Sequence, residues 1–165
     1  MTLAPVTADR VREVLSEVTD PEIPVLTIAD LGVLREVAVD GGRIVVTVTP
    51  TYSGCPAMDE IRADVRSALA AHGWHDVEVR TVLAPAWTTD WMTDAGKDKL
   101  REYGIAPPHQ VPGGAPVLLQ IRPRVECPQC GSSDTEEVTR FGSTSCKSMW
   151  RCRSCREPFD HFKAH

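Results

Sequence analysis

Four of the six cysteines in this 165-residue sequence form two Cys-x-x-Cys pairs, Cys127 with Cys130 and Cys152 with Cys155, separated by 21 residues. Two thiolates three residues apart bind one ion from a tight turn, and two such turns complete a tetrahedral four-sulfur shell. This spacing predicts a structural zinc site, closed to substrate because all four ligands come from the protein. Iron takes the same four ligands, so the identity of the metal stays open. Two disulfides are the alternative, which a reducing compartment disfavours.

The segments around these pairs predict a zinc ribbon over residues 124–165. Residues 135–141 and 148–152 have strand-like sequences, and Gly131 follows the first pair, where such a turn needs a positive φ. A segment this short buries too little apolar surface to fold alone, so we expect metal binding to be coupled to its folding. Cys146 is either a small buried residue at the start of a strand or an additional reactive thiol. Four cations of this tail predict a positive face for solvent or an acidic partner: Lys147, Arg151, Arg153 and Arg156.

The sixth cysteine, Cys55, lies in a TYSGCP run that begins at Thr51, between a predicted strand and a predicted helix. Proline favours the first helical position, so Cys55 is predicted at or beside a helix N-terminus. There the helix dipole and the unpaired N–H groups lower the pKa of a thiol, which makes it a nucleophile or a soft-metal ligand. A packed structural cysteine is the alternative. No Cys-x-x-Cys is present here, which argues against a thioredoxin-type dithiol.

A loop rich in carboxylates, DPEIPVLTIADLG at residues 20–32, precedes Cys55 in the chain. It is either a rigid turn with helix caps or a carboxylate rim near Cys55 that helps to hold a transition metal. In the second interpretation Asp20, Glu22 and Thr51 support the thiol. The histidines His72, His75, His161 and His165 are predicted to be solvated.

Hydrophobic periodicity predicts the elements that position these residues. An i, i+3, i+4, i+7 stripe starting at Val11 predicts a helix capped near Thr7, and β-branched runs around Asp40-Gly-Gly predict a hairpin of strands 33–39 and 43–49. Further elements are predicted as helices at 56–72 and 88–103 and a strand at 77–83. The order α-β-β-α-β-α predicts an α/β (α+β) fold, with helices on a mixed sheet and a right-handed crossover that makes one strand pair parallel.

A composition shift divides the chain. Residues 104–116 read GIAPPHQVPGGAP, and four prolines and three glycines predict a connector without helix or strand ladder. The predicted domains are an α/β domain over 1–104, a linker with a lead-in strand over 105–123, and the ribbon over 124–165. The net charge of −5, from 18 basic and 23 acidic residues, argues against nucleic-acid binding. No apolar stretch predicts a membrane span and no leader is evident, so we expect a cytoplasmic protein.

Two motifs together resemble a known family. The DPEIPVLTIADLG run, the hairpin and TPTYSGCP are similar to the SufT-like class of iron–sulfur cluster assembly domains over residues 7–104. With APAWTTDW at 84–91, GIAPP and a ribbon ending in EPFDHFK, essentially the whole chain resembles the D subunits of phenylacetyl-CoA epoxidase systems. In those systems a di-iron oxygenase epoxidises the ring of phenylacetyl-CoA and is supplied by an iron–sulfur flavin reductase.

The resemblance implies an accessory maturation factor without independent catalytic activity. It implies that Cys55 is the functional cysteine, which transiently carries iron or an iron–sulfur cluster, and that the four paired cysteines are the ribbon ligands. The implied partners are the oxygenase or reductase subunits, with a homodimer as a further expectation. A structural docking subunit is the alternative, and a nucleic-acid-binding ribbon is a weaker one. The chain itself has no Glu-x-x-His and too few helices for a di-iron bundle.

Overall fold

The computed structural model describes residues 5–109 and 124–164, in two compact units, Met1–Gly96 and Lys97–His165. Most of the predicted linker, residues 110–123, lies outside the described residues, as does His165. The predicted boundaries at residues 104 and 124 stay predictions.

The first unit begins with helix α1 (Ala8–Leu15), which starts where the sequence predicts. The Thr7 hydroxyl accepts a hydrogen bond from the Arg10 N–H at 3.3 Å and satisfies one of the free donors of the first turn. Val11 and Leu15 of the apolar stripe are fully buried. The helix ends earlier than the stripe, and Val18 reaches the core from the turn that follows.

Three strands form a mixed sheet in the order β1-β2-β3. Strands β1 (Leu34–Asp40) and β2 (Arg43–Val48) are the predicted antiparallel hairpin, and β3 (Val77–Thr81) pairs with β2 in parallel. Helix α2 (Ala57–Ala70) makes the crossover between β2 and β3. The predicted α/β fold and its parallel pair are therefore confirmed.

The core of this unit lies between the sheet and the two helices. The central strand β2 buries alternate residues, Ile44, Val46 and Val48, each with no exposed surface. Burial of a side chain of this size stabilises the fold by about 1.5–3 kcal/mol. Helix α2 adds the residues of its apolar face: Met58, Ile61, Val65 and Leu69.

The predicted helix over 88–103 is wrong in its first half. A 3₁₀ turn (Thr89–Trp91) is followed by extended Met92 and then by helix α3 (Asp94–Glu102). Two threonines explain the break, because the hydroxyl of Thr88 accepts from the Asp90 N–H and that of Thr93 accepts from the Gly96 N–H. Each hydroxyl starts a separate piece of helix. None of the helices in the described part of the chain is long and apolar enough to span a bilayer.

The second unit contains a four-stranded sheet in the order β4-β7-β6-β5. The strands are β4 (Ile105–Ala106), β5 (Thr135–Thr139), β6 (Lys147–Cys152) and β7 (Pro158–Phe162). Strand β4 contradicts the prediction that residues 104–116 hold no strand ladder. Its two residues precede the first proline of the run and pair in parallel with β7, a partner more than fifty residues away in sequence.

Gly32 lies at a position where both the backbone conformation and close packing require a residue without a side chain. Its φ is +72°, and a Cβ there would clash with the backbone carbonyl oxygen of Trp91. The Arg35 guanidinium lies 3.5 Å from the centroid of the Trp91 ring, and the Trp87 indole donates to the Leu31 carbonyl. The segment around Trp91 thus packs directly onto the end of the carboxylate loop.

We expect Gly32→Ala to lower the free energy of unfolding by about 3 kcal/mol or more, because strain at positive φ adds to a backbone clash. Gly41→Ala is the matched control, since Gly41 also has positive φ (+56°) but no heavy atom within 4 Å of the added Cβ. Gly41→Ala should lower the free energy of unfolding by only about 1 kcal/mol. Urea unfolding followed by tryptophan fluorescence measures both values. Equal losses in the two variants would contradict the packing argument.

Candidate metal centre and candidate thiol site

The two cysteine pairs of the ribbon lie in turns with the same backbone form. The Cys127 N–H donates to the Ser132 carbonyl and the Cys152 N–H donates to the Glu157 carbonyl, both at 2.9 Å and both five residues on. The residue after the second cysteine has positive φ in each turn, +73° at Gly131 and +67° at Arg156. Arg156 is the one non-glycine residue with positive φ in the described part of the chain. The sequence predicts a positive φ at Gly131. Because Arg156 follows the second Cys-x-x-Cys pair as Gly131 follows the first, the same comparison predicts a positive φ at Arg156.

The four sulfur atoms converge. All lie within 4.8 Å of one another, and the cross-turn pairs Cys127–Cys155 and Cys130–Cys152 are 3.7 and 3.6 Å apart. A tetrahedral ion with metal–sulfur bonds of about 2.3 Å has sulfur–sulfur edges of about 3.8 Å. A disulfide requires about 2.05 Å, and all four thiols are free. The donor set thus fits one tetrahedral ion, either zinc or iron, in a four-cysteine metal-binding cluster.

Electrostatics within the cluster favours a bound cation. A backbone hydrogen bond from Cys155 lowers the pKa of Cys152 to about 6. A backbone hydrogen bond from Glu157 favours the thiolate of Cys155, but burial and the three neighbouring sulfurs outweigh it and raise the pKa of Cys155 to about 12. The four thiols therefore do not all ionise near neutral pH without a cation, and metal binding must release protons.

Two of the other residues singled out in the tail, Lys147 and Cys146, are buried, whereas Arg151, Arg153 and Arg156 are exposed as predicted. Lys147 has 6% of its surface exposed and its ammonium lies 3.8 Å from Asp160, so the predicted positive face is wrong at this position. Cys146 is 4% exposed and its sulfur lies 3.0 Å from the Thr144 hydroxyl, which favours the packed interpretation of this thiol. Arg153 is exposed but pairs with Glu136 at 2.8 Å. These pairings reduce the free positive charge of the tail.

Cys55 lies beside the start of α2, as predicted. Pro56 is the N-cap, so Cys55 is one residue outside the helix, and Gly54 has a φ of +82° in the turn that leads to it. The Cys55 N–H donates to the Tyr52 carbonyl at 3.3 Å. Its side chain is half-buried.

The predicted low pKa of Cys55 is wrong. Burial raises the pKa of the thiol, a backbone N–H of Ala57 lowers it, and the charge of Glu22 raises it. A hydrogen bond from the Tyr52 side chain and the charge of Asp20 act in opposite directions with smaller effect. The net shift is upward, because the cysteine lies outside the first turn, half-buried and near two carboxylates. Tyr52 is not among the predicted site residues, and its place three residues before Cys55 is the only sequence signal for it.

The carboxylate loop comes near Cys55 because of the hairpin. Leu34 at the start of β1 pairs with Val48 at the end of β2. The loop before β1 and the turn after β2 therefore lie at the same end of the paired strands. Asp20 is buried, and its Oδ1 accepts from the N–H groups of Glu22 and Ile23 at 2.8 and 2.9 Å. Asp20 therefore also holds the turn that presents Glu22.

The remaining predicted residues differ in role. Asp30 accepts from the Thr27 N–H at 3.1 Å and from the Thr93 hydroxyl at 3.2 Å, so it ties the loop to the segment before α3. Thr51 is half-buried in the turn, and no described contact connects it with the Cys55 thiol. His72 and His75 are exposed as predicted. His161 is not, because only 3% of its surface is exposed on β7.

Replacing Cys152 with serine should abolish binding of about one metal ion per chain and unfold the ribbon, because structural zinc contributes about 10–16 kcal/mol to comparable small folds. Cys146→Ser is the control, since Cys146 is equally buried but lies outside the cluster. Elemental analysis and amide NMR dispersion measure metal and folding. Metal-free protein with an ordered ribbon would contradict the cluster.

Comparison with known proteins matches the regions around the two candidate sites to two different families. The family described as iron-sulfur cluster assembly protein matches residues 8–81, which include Cys55. The family described as PaaD zinc beta ribbon domain matches residues 113–163, which include all four cluster cysteines. A crystal structure of a domain of unknown function, DUF59, from Bacillus anthracis is 30% identical and superposes with a TM-score of 0.53, covering 56% of this chain and 90% of that one.

Two relatives show how far the similarity extends. A factor from Porphyromonas gingivalis (strain ATCC BAA-308 / W83), named Fe-S protein maturation auxiliary factor, is 37% identical over 90 residues, covering 53% of this chain and 85% of its own. A protein of Escherichia coli (strain K12), provisionally named as the D subunit of 1,2-phenylacetyl-CoA epoxidase, is 48% identical over 162 residues. That match covers 98% of this chain and 96% of the relative. The similarity spans both units, and the chain belongs to the family of phenylacetyl-CoA epoxidase D subunits.

Proposed function

We propose that this protein is an accessory maturation factor of a phenylacetyl-CoA epoxidase system and aids the assembly of iron or iron–sulfur centres in it. The name of the E. coli relative supports the assignment to this epoxidase system, and the name of the P. gingivalis relative supports a role in the maturation of iron–sulfur proteins. The observation on which the proposal rests is the half-buried Cys55 thiol with the charges of Glu22 and Asp20 acting on it.

The raised pKa of Cys55 suits a metal-triggered ligand. The thiol stays protonated near neutral pH, which protects it from oxidation and alkylation, since the thiolate is the reactive form. The same two carboxylates that raise the pKa attract a cation, and a bound cation displaces the thiol proton. Iron or a cluster is then the cargo, bound by the Cys55 sulfur and attracted by the charges of Glu22 and Asp20.

Release of the cargo depends on how few ligands the site supplies. Among the described residues, the four ribbon cysteines are the group of three or more converging ligands, and Cys55 belongs to no such group. In our proposal the client protein provides the remaining ligands of the iron. Iron passes to the client when ligands of the client replace the Cys55 sulfur.

The ribbon has a separate role in this proposal. Its four cysteines hold zinc as a permanent structural ion, since a closed four-sulfur shell leaves no position for exchange. The oxygenase and the reductase are the proposed clients, and the cytoplasm is the proposed compartment because the six cysteines are free.

A structural docking subunit is the second candidate, and one observation favours it. The ribbon exposes large apolar side chains at Val138 (58%), Phe141 (70%) and Met149 (38%), which a partner surface would cover. The structure further weakens the nucleic-acid-binding alternative, because two of the four cations on which it depends are paired. Lys147 is buried against Asp160, and Arg153 pairs with Glu136.

We expect the alkylation rate of Cys55 in metal-free protein to rise with an apparent pKa above that of an ordinary cysteine. Glu22→Gln should lower this pKa, because it removes a negative charge that disfavours the thiolate. Glu36→Gln is the control, since Glu36 is an exposed carboxylate on β1 that does not act on the thiol. Mass-spectrometric rates against pH give the values. An apparent pKa well below the ordinary value of about 8.5 would contradict the metal-triggered ligand.

Cells that produce Cys55→Ser protein should contain oxygenase or reductase with less iron, while the two enzymes still assemble. Serine is nearly isosteric, and an alcohol is a far poorer ligand for iron than a thiolate. Iron counting on the purified enzymes measures the effect, with Cys146→Ser as the control thiol. Normal iron content combined with loss of the complex in cells lacking the protein would instead support the docking subunit.

A further inference from the structure

The outer side of β3 is an unpaired sheet edge. Strand β3 ends the three-stranded sheet of the first unit, and no strand in the described part of the chain pairs with its outer side. Such an edge presents a row of free N–H and C=O groups, which is a template for a further strand. The strand contains no proline, and its pairing with β2 has no register shift, so it lacks two of the devices that prevent such an addition.

The hydrogen bonds to β2 show which residues of β3 face outward. The Asp76 carbonyl accepts from the Ile44 N–H, and the Val82 N–H donates to the Val48 carbonyl, both at 2.9 Å. The backbone groups of successive strand residues point to alternate sides, so the even-numbered residues from 76 to 82 face β2. The odd-numbered residues therefore direct their N–H and C=O groups to the free edge: Val77, Val79 and Thr81.

The sequence of β3, VEVRT, is complementary in charge to an antiparallel copy of itself. A two-fold axis at Val79 places Glu78 of each copy opposite Arg80 of the other. Both side chains lie on the sheet face of Val45 and Thr47, with which they are in register, where Glu78 is half-buried and Arg80 is exposed. Opposite charges directly across an antiparallel pair stabilise it, and like charges destabilise it.

The ion pairs within one chain leave both groups able to bind a second partner. The Glu78 carboxylate accepts from Arg43 at 2.7 Å and from Arg80 at 2.9 Å. The hydrogen bond from Arg43, followed by that from Arg80, lowers the pKa of Glu78, so this side chain is ionised at neutral pH. Arg80 bonds Glu78 through Nε and Nη2, and a carboxylate has room for roughly four hydrogen bonds.

The other long edge strands of the described chain lack this pattern. The pairing of β1 shifts register between Leu34 and Glu36, and a bulge twists an edge away from further pairing. The pairing of β5 shifts register between Glu137 and Thr139. Strand β5 also has adjacent glutamates, Glu136 and Glu137, and no cation of its own, so an antiparallel copy brings acidic side chains together. The edge of β3 is therefore the one suited to symmetric pairing.

We propose that two copies of this chain pair through the free edges of β3, antiparallel and centred on Val79, and join their three-stranded sheets into one continuous sheet. Val79 faces its own copy and exchanges both N–H···O bonds with it. Val77 faces Thr81 of the other copy, and this pair is weaker because the Val77 N–H already donates to the His75 carbonyl at 3.1 Å. The edge contains neither Cys55 nor a cluster cysteine, so the pairing does not depend on the proposed function.

The burial of β3 agrees with such a partner. Val77 and Val79 are only half-buried, although they are in register with Ile44 and Val46 of β2, which have no exposed surface. A second copy on this edge covers part of the remaining apolar surface of both valines, which favours association. Pairing along one short strand buries a small area, so we expect a reversible dimer whose population depends on protein concentration.

Sedimentation equilibrium of the metal-loaded full chain over a wide concentration range tests the pairing. Glu78→Arg and Arg80→Glu each place like charges opposite one another, and each should raise the dissociation constant of the dimer about tenfold. An equimolar mixture of the two variants should restore the dimer, because the cations of the first then face the anions of the second. Glu36→Arg is the control, since it changes the net charge as Glu78→Arg does but lies on β1, and it should leave the dissociation constant unchanged.

Recovery of the dimer in the mixture supports the edge and its register, because a variant that is merely damaged gains nothing from a second damaged variant. A native chain that is monomeric at every concentration would overturn the proposal. A dimer that neither charge reversal weakens would also overturn it, since the contact then uses another surface. A mixture that stays monomeric while amide dispersion shows both variants folded would contradict the register centred on Val79.

Discussion

The antiparallel register of the hairpin is the constraint on which the candidate thiol site depends. Because Leu34 pairs with Val48, the loop that enters β1 and the turn that leaves β2 lie at one edge of the sheet. The crossover through α2 then starts at that same end of the strands and leaves Cys55 just outside the helix. A shift of this register by one residue would move the buried side of β2 to the opposite face and separate the carboxylates from the thiol.

The ribbon is stabilised differently, because two of its four metal-ligating cysteines are also part of its hydrophobic core. Cys127 and Cys152 belong to the same buried cluster as Trp150 and Phe159, so the hydrophobic contacts and the metal shell share residues. The two other cysteines, Cys130 and Cys155, close the shell from the exposed side. Metal and apolar burial therefore support one another, which explains how so short a segment folds.

Local patterns predicted much of this structure, whereas properties set by distant residues were harder to predict. The Cys-x-x-Cys spacing, the Thr7 cap and the hairpin turn are local, and each lies where the sequence indicates. Strand β4 and the burial of His161 depend on a pairing between segments more than fifty residues apart. The pKa of Cys55 depends first on burial and then, among the charges, on Glu22, and both follow from the folded structure rather than from the local sequence. The helix dipole alone predicts the opposite direction.

The central claim is that Cys55 passes iron or a cluster to a client, and a transfer assay with purified components tests it most directly. Protein loaded anaerobically with iron and sulfide is mixed with apo-reductase, and cluster formation in the reductase is followed by its visible absorption and by recovered electron transfer. The account predicts fast transfer from the native protein and from Cys146→Ser, and loss of transfer with Cys55→Ser while the ribbon keeps its metal. Equal transfer rates for the native protein and Cys55→Ser would contradict it.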